Sequence, residues 1–199
     1  LMKVAQLLST IPDAIPKEYA EKLQTLQSEA PSMGWFFVKR RMAGELGSEW
    51  LKKFEIFEKN AIKAASLGQV HKAKVDNIDV ACKLQYPDMI STVDADLKQL
   101  KLIFSLYGTW DKTIKTKDIY TELSDRLKEE LDYRREKNNM LLFSKMLQNE
   151  KYIKIPKPID NLSTDKLLTM TWLNGNSLMK WKNSKPEIKN HIALTLFHA

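Results

Sequence analysis

The chain has 199 residues, of which 43% are hydrophobic and 29% charged, a composition that predicts a globular protein and excludes an intrinsically disordered one. Lys and Arg outnumber Asp and Glu by 32 to 25, and the formal charge of +7 favours anionic partners such as nucleotide phosphates, acidic lipid or nucleic acid. The one cysteine, Cys82, excludes an internal disulfide framework and a cysteine-based zinc site, and no apolar run approaches the roughly 20 residues that span a bilayer.

Helical periodicity dominates the first part of the chain. Met2, Leu7 and Ile11 recur at helical spacing, and after a break at Pro12 and Pro16 a second helical pattern follows. A further short helix is predicted over residues 35–51. We therefore assign residues 1–52 to a helical N-terminal extension.

Short alternating runs replace this pattern from residue 54 onward. They predict strands over 54–57, 69–75 and 78–84, and Asp76 and Asn77 provide the residue types of a tight hairpin turn between the last two. These strands are expected to form an antiparallel meander.

The second half of the chain predicts helices over 94–107 and 116–149, strands near 152–155 and 167–172, and a final helix beginning at Pro186. Leu123, Leu127 and Leu131 form one apolar stripe on the long helix. The predicted fold is α+β, with a five-stranded antiparallel sheet and a helical insertion after its third strand. The small lobe of a protein kinase has this order, but α+β domains of similar order serve many functions.

An ATP site needs a backbone-lined loop over the phosphates, a cation that contacts them and a carboxylate that holds the cation. The small side chains within 64–69 would allow such a loop, although an ordinary hairpin turn is the commoner explanation of such a segment. Lys83 ends the run Val-Ala-Cys-Lys, as a kinase strand lysine does, but strand lysines are usually solvated. Cys82 should face the opposite side of the sheet and fill the core.

Three acids on the predicted long helix are candidates for the carboxylate. Asp132 and Glu136 are spaced i,i+4 and would lie on one helical face, close to Glu130. Like charges at this spacing repel, which suggests that a cation docks there from elsewhere. Alternatively, Lys128 and Arg135 neutralise the acids on an ordinary solvated face.

Taken together, the motifs resemble those of the UbiB family of atypical, aarF-domain kinase-like proteins. Lys3-Val-Ala-Gln6 is similar to the family's Lys-x-Gly-Gln motif, and Lys63-Ala-Ala-Ser-Leu-Gly-Gln-Val-His71 to its alanine-rich loop. Val80-Ala-Cys-Lys-Leu-Gln-Tyr-Pro87 resembles the lysine strand. Glu130-Leu-Asp-Tyr-Arg-Arg-Glu136 resembles the Glu-x-Asp motif with the helix glutamate, and Leu168-Thr-Met-Thr-Trp-Leu-Asn-Gly175 the stretch that leads into the adenine hinge.

The resemblance implies ATP as the ligand and assigns a role to each matching position. Lys83 would contact the α- and β-phosphates and pair with Glu136, and Lys3 would reach Glu130 and Asp132. The residues that would line the nucleotide or lie over its pocket are Gln6, Ala65, Ser66, Gly68, Met170, Trp172 and Leu173.

It also implies a division of the chain and a cellular context. Residues 53–173 would form the kinase-like N-lobe, and 174–199 the hinge and the start of a truncated large lobe. The family supports ubiquinone biosynthesis, so lipid-like quinone precursors, biosynthesis proteins and a peripheral membrane contact are expected partners. The expected location is the bacterial cytoplasm or inner-membrane periphery, or the matrix side of a mitochondrial membrane.

The sequence departs from the family pattern in places. Ala5 replaces a glycine, Lys63 replaces an alanine, and neither a His-Asp-Asn catalytic loop nor an Asp-Phe-Gly metal ligand occurs. We therefore expect Mg²⁺ binding and catalysis only in a longer protein, and no metal site here. The competing hypotheses are a non-catalytic scaffold or isoprenoid-binding module, and a nucleic-acid-binding domain, for which no motif is found.

Overall fold

The computed structural model describes residues 32–64, 67–110 and 116–198. Its α-helices are α1 (Trp35–Leu46), α2 (Met89–Trp110), α3 (Thr116–Leu131), α4 (Tyr133–Met146) and α5 (Pro186–His198). Its strands are β1 (Ile56–Phe57), β2 (Lys63–Ala64), β3 (Gly68–Val75), β4 (Ile78–Gln85) and β5 (Leu167–Thr171). Single 3-10 turns occur at Trp50–Lys53, Asp160–Leu162 and Leu178–Trp181. Among the described residues, no helix combines the length and apolar character needed to cross a bilayer.

The sheet is antiparallel throughout and is built on the hairpin of β3 and β4. Asp76 and Asn77 form its turn, and their φ angles of 49° and 63° are the two left-handed conformations that a type I′ hairpin turn requires. β5 pairs with the free edge of β4, while β1 and β2 pair with successive parts of β3 on its other edge. The predicted α+β fold with a five-stranded antiparallel sheet is confirmed.

The membership of the sheet differs from the prediction in one strand. The prediction of a strand at 152–155 is wrong, and the fifth member of the sheet is instead β2, which overlaps the predicted small-residue turn at Ala64. The segment that approaches β5 lies slightly later, where Ile159 N–H donates to Thr169 O at 2.8 Å and Pro158 forms an isolated bridge with Met170. Pro156 and Pro158 have no N–H, so a regular ladder cannot form there.

The long helix predicted over 116–149 is divided in two at Asp132. This residue leaves the helical region, with φ −89° and ψ 85°, and its carboxylate accepts a hydrogen bond from Arg135 N–H at 2.9 Å as the N-cap of α4. Aspartate competes with the backbone for such hydrogen bonds, which favours a helix start over a helix interior. The apolar stripe is present, with Leu123 and Leu127 buried in α3.

Two apolar clusters hold the molecule together. The larger packs α1 and the 3-10 turn at Trp50–Lys53 onto one face of the sheet, and its members include Val38, Met42, Cys82 and Leu84. The smaller joins α2 to α3 and includes Leu67, which follows the small-residue turn. Because α1 shares its core with the sheet, residues 35–46 fold together with the predicted N-lobe; the boundary at residue 52 stays a prediction.

A buried polar pair, Gln69 and His71, attaches the residues before α1 to β3. The carboxamide of Gln69 accepts from Met33 N–H at 2.8 Å and donates to Met33 O at 3.1 Å. His71 Nδ1 lies 2.9 Å from Glu58 O, which can only accept, so Nδ1 carries the proton and Nε2 accepts from Gln69 Nε2 at 2.9 Å. Burial lowers the pKa of His71, which keeps the imidazole neutral.

Candidate functional site

Lys83 lies on the face of β4 that the larger core does not cover. Successive side chains of a strand alternate between faces, so Cys82 points into the core while Lys83 points away from it. Its ammonium is 2.6 Å from Oε2 of Glu136 in the first turn of α4, and each side chain is 31% exposed. The fold therefore brings a cation and an acid, 53 residues apart, into a half-open ion pair.

Tyr133, the first residue of α4, lies between this ion pair and Gly68 at the start of β3. The Lys83 ammonium lies 4.9 Å from the centre of the Tyr133 ring, within the range of a cation–π contact. Burial raises the pKa of Tyr133, and the charge of Glu136 raises it further, so the phenol stays protonated. The sequence analysis missed Tyr133; an aromatic residue between the Glu-x-Asp motif and the helix glutamate was the available signal.

Gly68 is required by the close approach of β3 and β4 at the start of β3. A Cβ on Gly68 would lie 2.3 Å from Leu84 O and 3.1 Å from the Tyr133 hydroxyl, and a backbone carbonyl cannot move away as a flexible side chain can. This packing explains the glycine without a ligand, so its contact with a nucleotide stays a prediction. Ala65 and Ser66 lie outside the described residues.

The acidic residues predicted to meet a second lysine divide into two groups. Asp132 caps α4 and, with Asp125, Lys128, Glu129 and Arg135, lines an open groove at the junction of α3 and α4. Arg135 pairs with Glu129 at 2.8 Å, so the groove contains an ion pair of its own, formed across the junction of the two helices. Glu130 is exposed in the last turn of α3, and its charge contributes to the raised pKa of Tyr133. Lys3 and Gln6 lie outside the described residues.

An apolar strip continues from Lys83 along the same face of the sheet. Ala81 pairs with Met170 of β5, and Val70 pairs with Lys83, so these small or flexible apolar side chains lie beside the ammonium. Trp172 and Leu173 follow β5 at the far end, and Leu173 is 43% exposed. Of this strip, Met170, Trp172 and Leu173 were predicted from the sequence, whereas Val70 and Ala81 were not. Cross-strand register places Val70 beside Lys83 and is not visible in one sequence, but Ala81 precedes Lys83 by two residues on β4, so side-chain alternation was an available signal.

The other face of β4 packs into the larger core, and its one thiol, that of Cys82, is not accessible to solvent. Cys82 is fully buried, and burial raises its thiol pKa to about 12, so it stays protonated near neutral pH. The prediction that Cys82 fills the core is confirmed. Within the described ranges, no group of three or more His, Cys, Asp or Glu side chains is arranged to hold a metal ion.

Comparison with known proteins supplies a context for this geometry. Residues 25–199 match the model of the ABC1 atypical kinase-like domain. The chain is 32% identical over 194 residues to the yeast protein "Atypical kinase COQ8, mitochondrial" from Saccharomyces cerevisiae, and 31% identical over 196 residues to the Caenorhabditis elegans "Atypical kinase coq-8, mitochondrial". It is also 33% identical over 184 residues to "Protein ACTIVITY OF BC1 COMPLEX KINASE 8, chloroplastic" from Arabidopsis thaliana.

The alignments cover nearly all of this chain and a minor part of each relative. They include 96% of the chain but 39% of the yeast protein, 96% and 26% for the worm protein, and 90% and 24% for the plant protein. A solved structure of Rv3197 from Mycobacterium tuberculosis, in complex with erythromycin, superposes with a TM-score of 0.68 at 29% identity and covers 95% of this chain and 49% of that one. The chain thus spans about half or less of the proteins that it matches.

Proposed function

This chain belongs to the family of ABC1 atypical kinase-like domains, the UbiB family that its motifs resemble, and from this premise we propose that it is the ATP-binding part of an atypical kinase or ATPase. The observation that carries the proposal is the ion pair of Lys83 and Glu136 at 2.6 Å, at the end of an apolar strip. A triphosphate and a flat base need these two surfaces side by side.

Lys83 is proposed to contact the α- and β-phosphates, and Glu136 to hold its ammonium in place. A lysine side chain has rotatable bonds, so an unpaired ammonium would sample many positions, and the carboxylate restricts it to one. Each side chain is 31% exposed, which leaves the ammonium able to donate to a ligand as well. Phosphoryl transfer relies on such fixed charges.

The base is proposed to bind under the apolar strip. Ala81 and Val70 would contact one face of adenine, and Met170 would lie at its inner edge, with the backbone from Met170 to Leu173 supplying hydrogen bonds. Small side chains on the strand leave room for a planar ring to approach the sheet. The turn that contains Ala65, Ser66 and Gly68 would cover the phosphates.

The N-terminal extension is proposed to lie over this pocket. Lys3 would dock on Glu130 and Asp132 beside the helix junction, and Gln6 would lie next to it. In the family that the motifs resemble, the extension occupies the groove where a protein kinase binds its peptide substrate. We therefore propose ATP hydrolysis or phosphorylation of a small molecule in place of protein phosphorylation.

The longer protein is proposed to support ubiquinone biosynthesis, with lipid-like quinone precursors or the enzymes that modify them as partners. A peripheral membrane location fits such partners, in a bacterium or on the matrix side of a mitochondrial membrane. Mg²⁺ would be held by acidic residues of the longer protein that lie outside residues 1–199. Residues 1–199 alone would bind nucleotide weakly.

The proposal is tested by ATP binding and hydrolysis in the protein at its full natural length. Lys83→Ala removes charge-assisted hydrogen bonds to the phosphates, which are worth about 1.5–3 kcal/mol, so ATP affinity should fall roughly tenfold to a hundredfold. Hydrolysis should fall below detection. The free energy of unfolding should change by no more than about 1 kcal/mol, because the ion pair is partly exposed.

Lys74→Ala is the matched control, since Lys74 lies on β3 at the same face and its ammonium is 4.0 Å from Glu55. It should leave ATP affinity and hydrolysis unchanged. The proposal would be refuted if the wild-type protein did not bind ATP at millimolar concentration, or if wild type and Lys83→Ala bound ATP with equal affinity. Either result would favour a non-catalytic scaffold.

A further inference from the structure

Lys72 lies at the end of the apolar strip opposite to Lys83. It pairs in register with Ala81, and its ammonium is 2.8 Å from Oδ2 of Asp79. The same ammonium lies 5.5 Å from the centre of the Trp172 ring, within cation–π range. The strip is thus bounded by two paired cations, of which the one at Lys83 already has a proposed role.

Trp172 is held at several points. Its backbone N–H donates to Asp79 O at 2.9 Å, which extends the pairing of β4 and β5 by one residue. Its indole N–H donates to Asn174 Oδ1 at 2.9 Å, and the Lys72 ammonium lies over its ring. Asp79 therefore contacts both partners, through its carboxylate to Lys72 and its carbonyl to Trp172.

We propose that Lys72 is a positioning residue for base recognition, which holds the Trp172 indole against the sheet and thereby fixes the path of residues 172–174. The inference rests on the proposed function, in which the backbone of this segment meets adenine. Hydrogen bonds from the backbone to a base form only when the backbone groups are correctly placed. A segment that is already restrained also loses less conformational entropy when the base binds. Lys72 acts through Trp172 and is not assigned a contact with the phosphates.

If Lys72 made the same contacts as Lys74, an ordinary surface ion pair would be enough to explain its position, and no role in base recognition would be needed. Lys74, two residues further along β3, has a similar side-chain exposure, 33% against 30%, and also has an acidic partner. The difference is the aromatic ring: among the described residues, the Lys74 ammonium lies over no ring, while the Lys72 ammonium lies over Trp172. A role in base recognition should therefore separate these two lysines.

The test compares a ligand with a base and one without. In the protein at its full natural length, Lys72→Ala should weaken ATP binding by about twofold to fivefold, the size of an exposed cation–π contact. Binding of inorganic tripolyphosphate should not change, because it has no base. Lys72→Arg, which keeps the charge and the stacking, should restore ATP affinity, and Lys74→Ala should match wild type for both ligands.

A second measurement needs no nucleotide. Fluorine NMR of fluorotryptophan-labelled protein, with the Trp172 signal assigned by Trp172→Phe, should show that signal shifted in Lys72→Ala and unchanged in Lys74→Ala. Equal ATP affinities for Lys72→Ala and Lys74→Ala, or a loss of tripolyphosphate binding in Lys72→Ala, would overturn the inference alone. Failure of the wild-type protein to bind ATP would instead overturn the proposed function, even with the NMR shift present.

Discussion

The two faces of the β3–β4 hairpin use polar residues in opposite ways. On the core face, Gln69 and His71 are fully buried, and each polar atom of their side chains that is described has a fixed partner. On the open face, Lys72 and Lys83 are paired with acids but remain about 30% exposed. Polar residues on the first face specify the fold, whereas those on the second remain accessible to solvent, as the proposed nucleotide site requires.

Truncation of a core-face side chain gives the largest expected effect on stability. Leu84 is fully buried in β4, and Leu84→Ala should lower the free energy of unfolding by about 2–5 kcal/mol, from lost burial and the cavity left behind. Urea denaturation followed by circular dichroism measures it. Ile78→Ala, on the same face of β4 but 52% exposed beside the hairpin turn, should cost clearly less; equal losses would show that burial does not set the cost on this face.

Removal of the Gln69 carboxamide should have the next largest effect. Gln69→Met keeps the length of the side chain but leaves Met33 N–H, Met33 O and His71 Nε2 without their partner, at a cost of about 1–3 kcal/mol. Hydrogen exchange at the Met33 amide should accelerate as well. Gln99→Met on the exposed side of α2 is the control and should stay within about 0.5 kcal/mol of wild type. A small effect of Gln69→Met would mean that the residues before α1 are held elsewhere.

The smallest expected effect is a dependence of stability on pH through His71. Burial lowers its pKa below the usual 6.5, so between these values the unfolded chain binds more protons than the folded one. The contribution of His71 is therefore complete above pH 6.5 and is lost as pH falls towards the folded-state pKa, by at most about 1.4 kcal/mol per pH unit.

Thermal or urea unfolding from pH 7.5 to 5 in wild type and His71→Gln isolates this term, since the other groups titrate in both proteins. The wild type should lose more stability than the variant over this range. A variant with the same slope as wild type would show that His71 titrates normally and that the core face tolerates its charge.

Local patterns predicted the parts of the site that lie close together in the chain. The run Val-Ala-Cys-Lys placed Lys83 on a strand and Cys82 on its opposite side, and Asp76 and Asn77 predicted the hairpin turn, because side-chain alternation and turn chemistry act over a few residues. The family motifs then singled out Glu136 as a partner for Lys83. The roles of all the predicted site residues stay predictions, and Lys3, Gln6, Ala65 and Ser66 also lie outside the described residues.

Local patterns were misleading where a side chain competes with regular structure. Asp132 fitted the spacing of a continuous helix, yet its carboxylate satisfies an N–H at a helix start, and the helix divides there. Residues 152–155 have β-branched and aromatic character, but the prolines that follow prevent a ladder. Asp132 gains a capping hydrogen bond and the prolines lack a donor for the ladder, and the spacing of apolar residues predicts neither effect.

The β3–β4 hairpin, the lysine strand and the family were therefore determined by the sequence alone, because side-chain alternation, turn chemistry and ordered motifs depend only on residues close together in the chain. Folding in three dimensions decided which distant residues meet: Tyr133 beneath Lys83, Val70 beside it, Gly68 against Leu84, and Lys72 on Trp172. These contacts join residues up to 100 positions apart through register and helix docking, and neither is set by the local sequence.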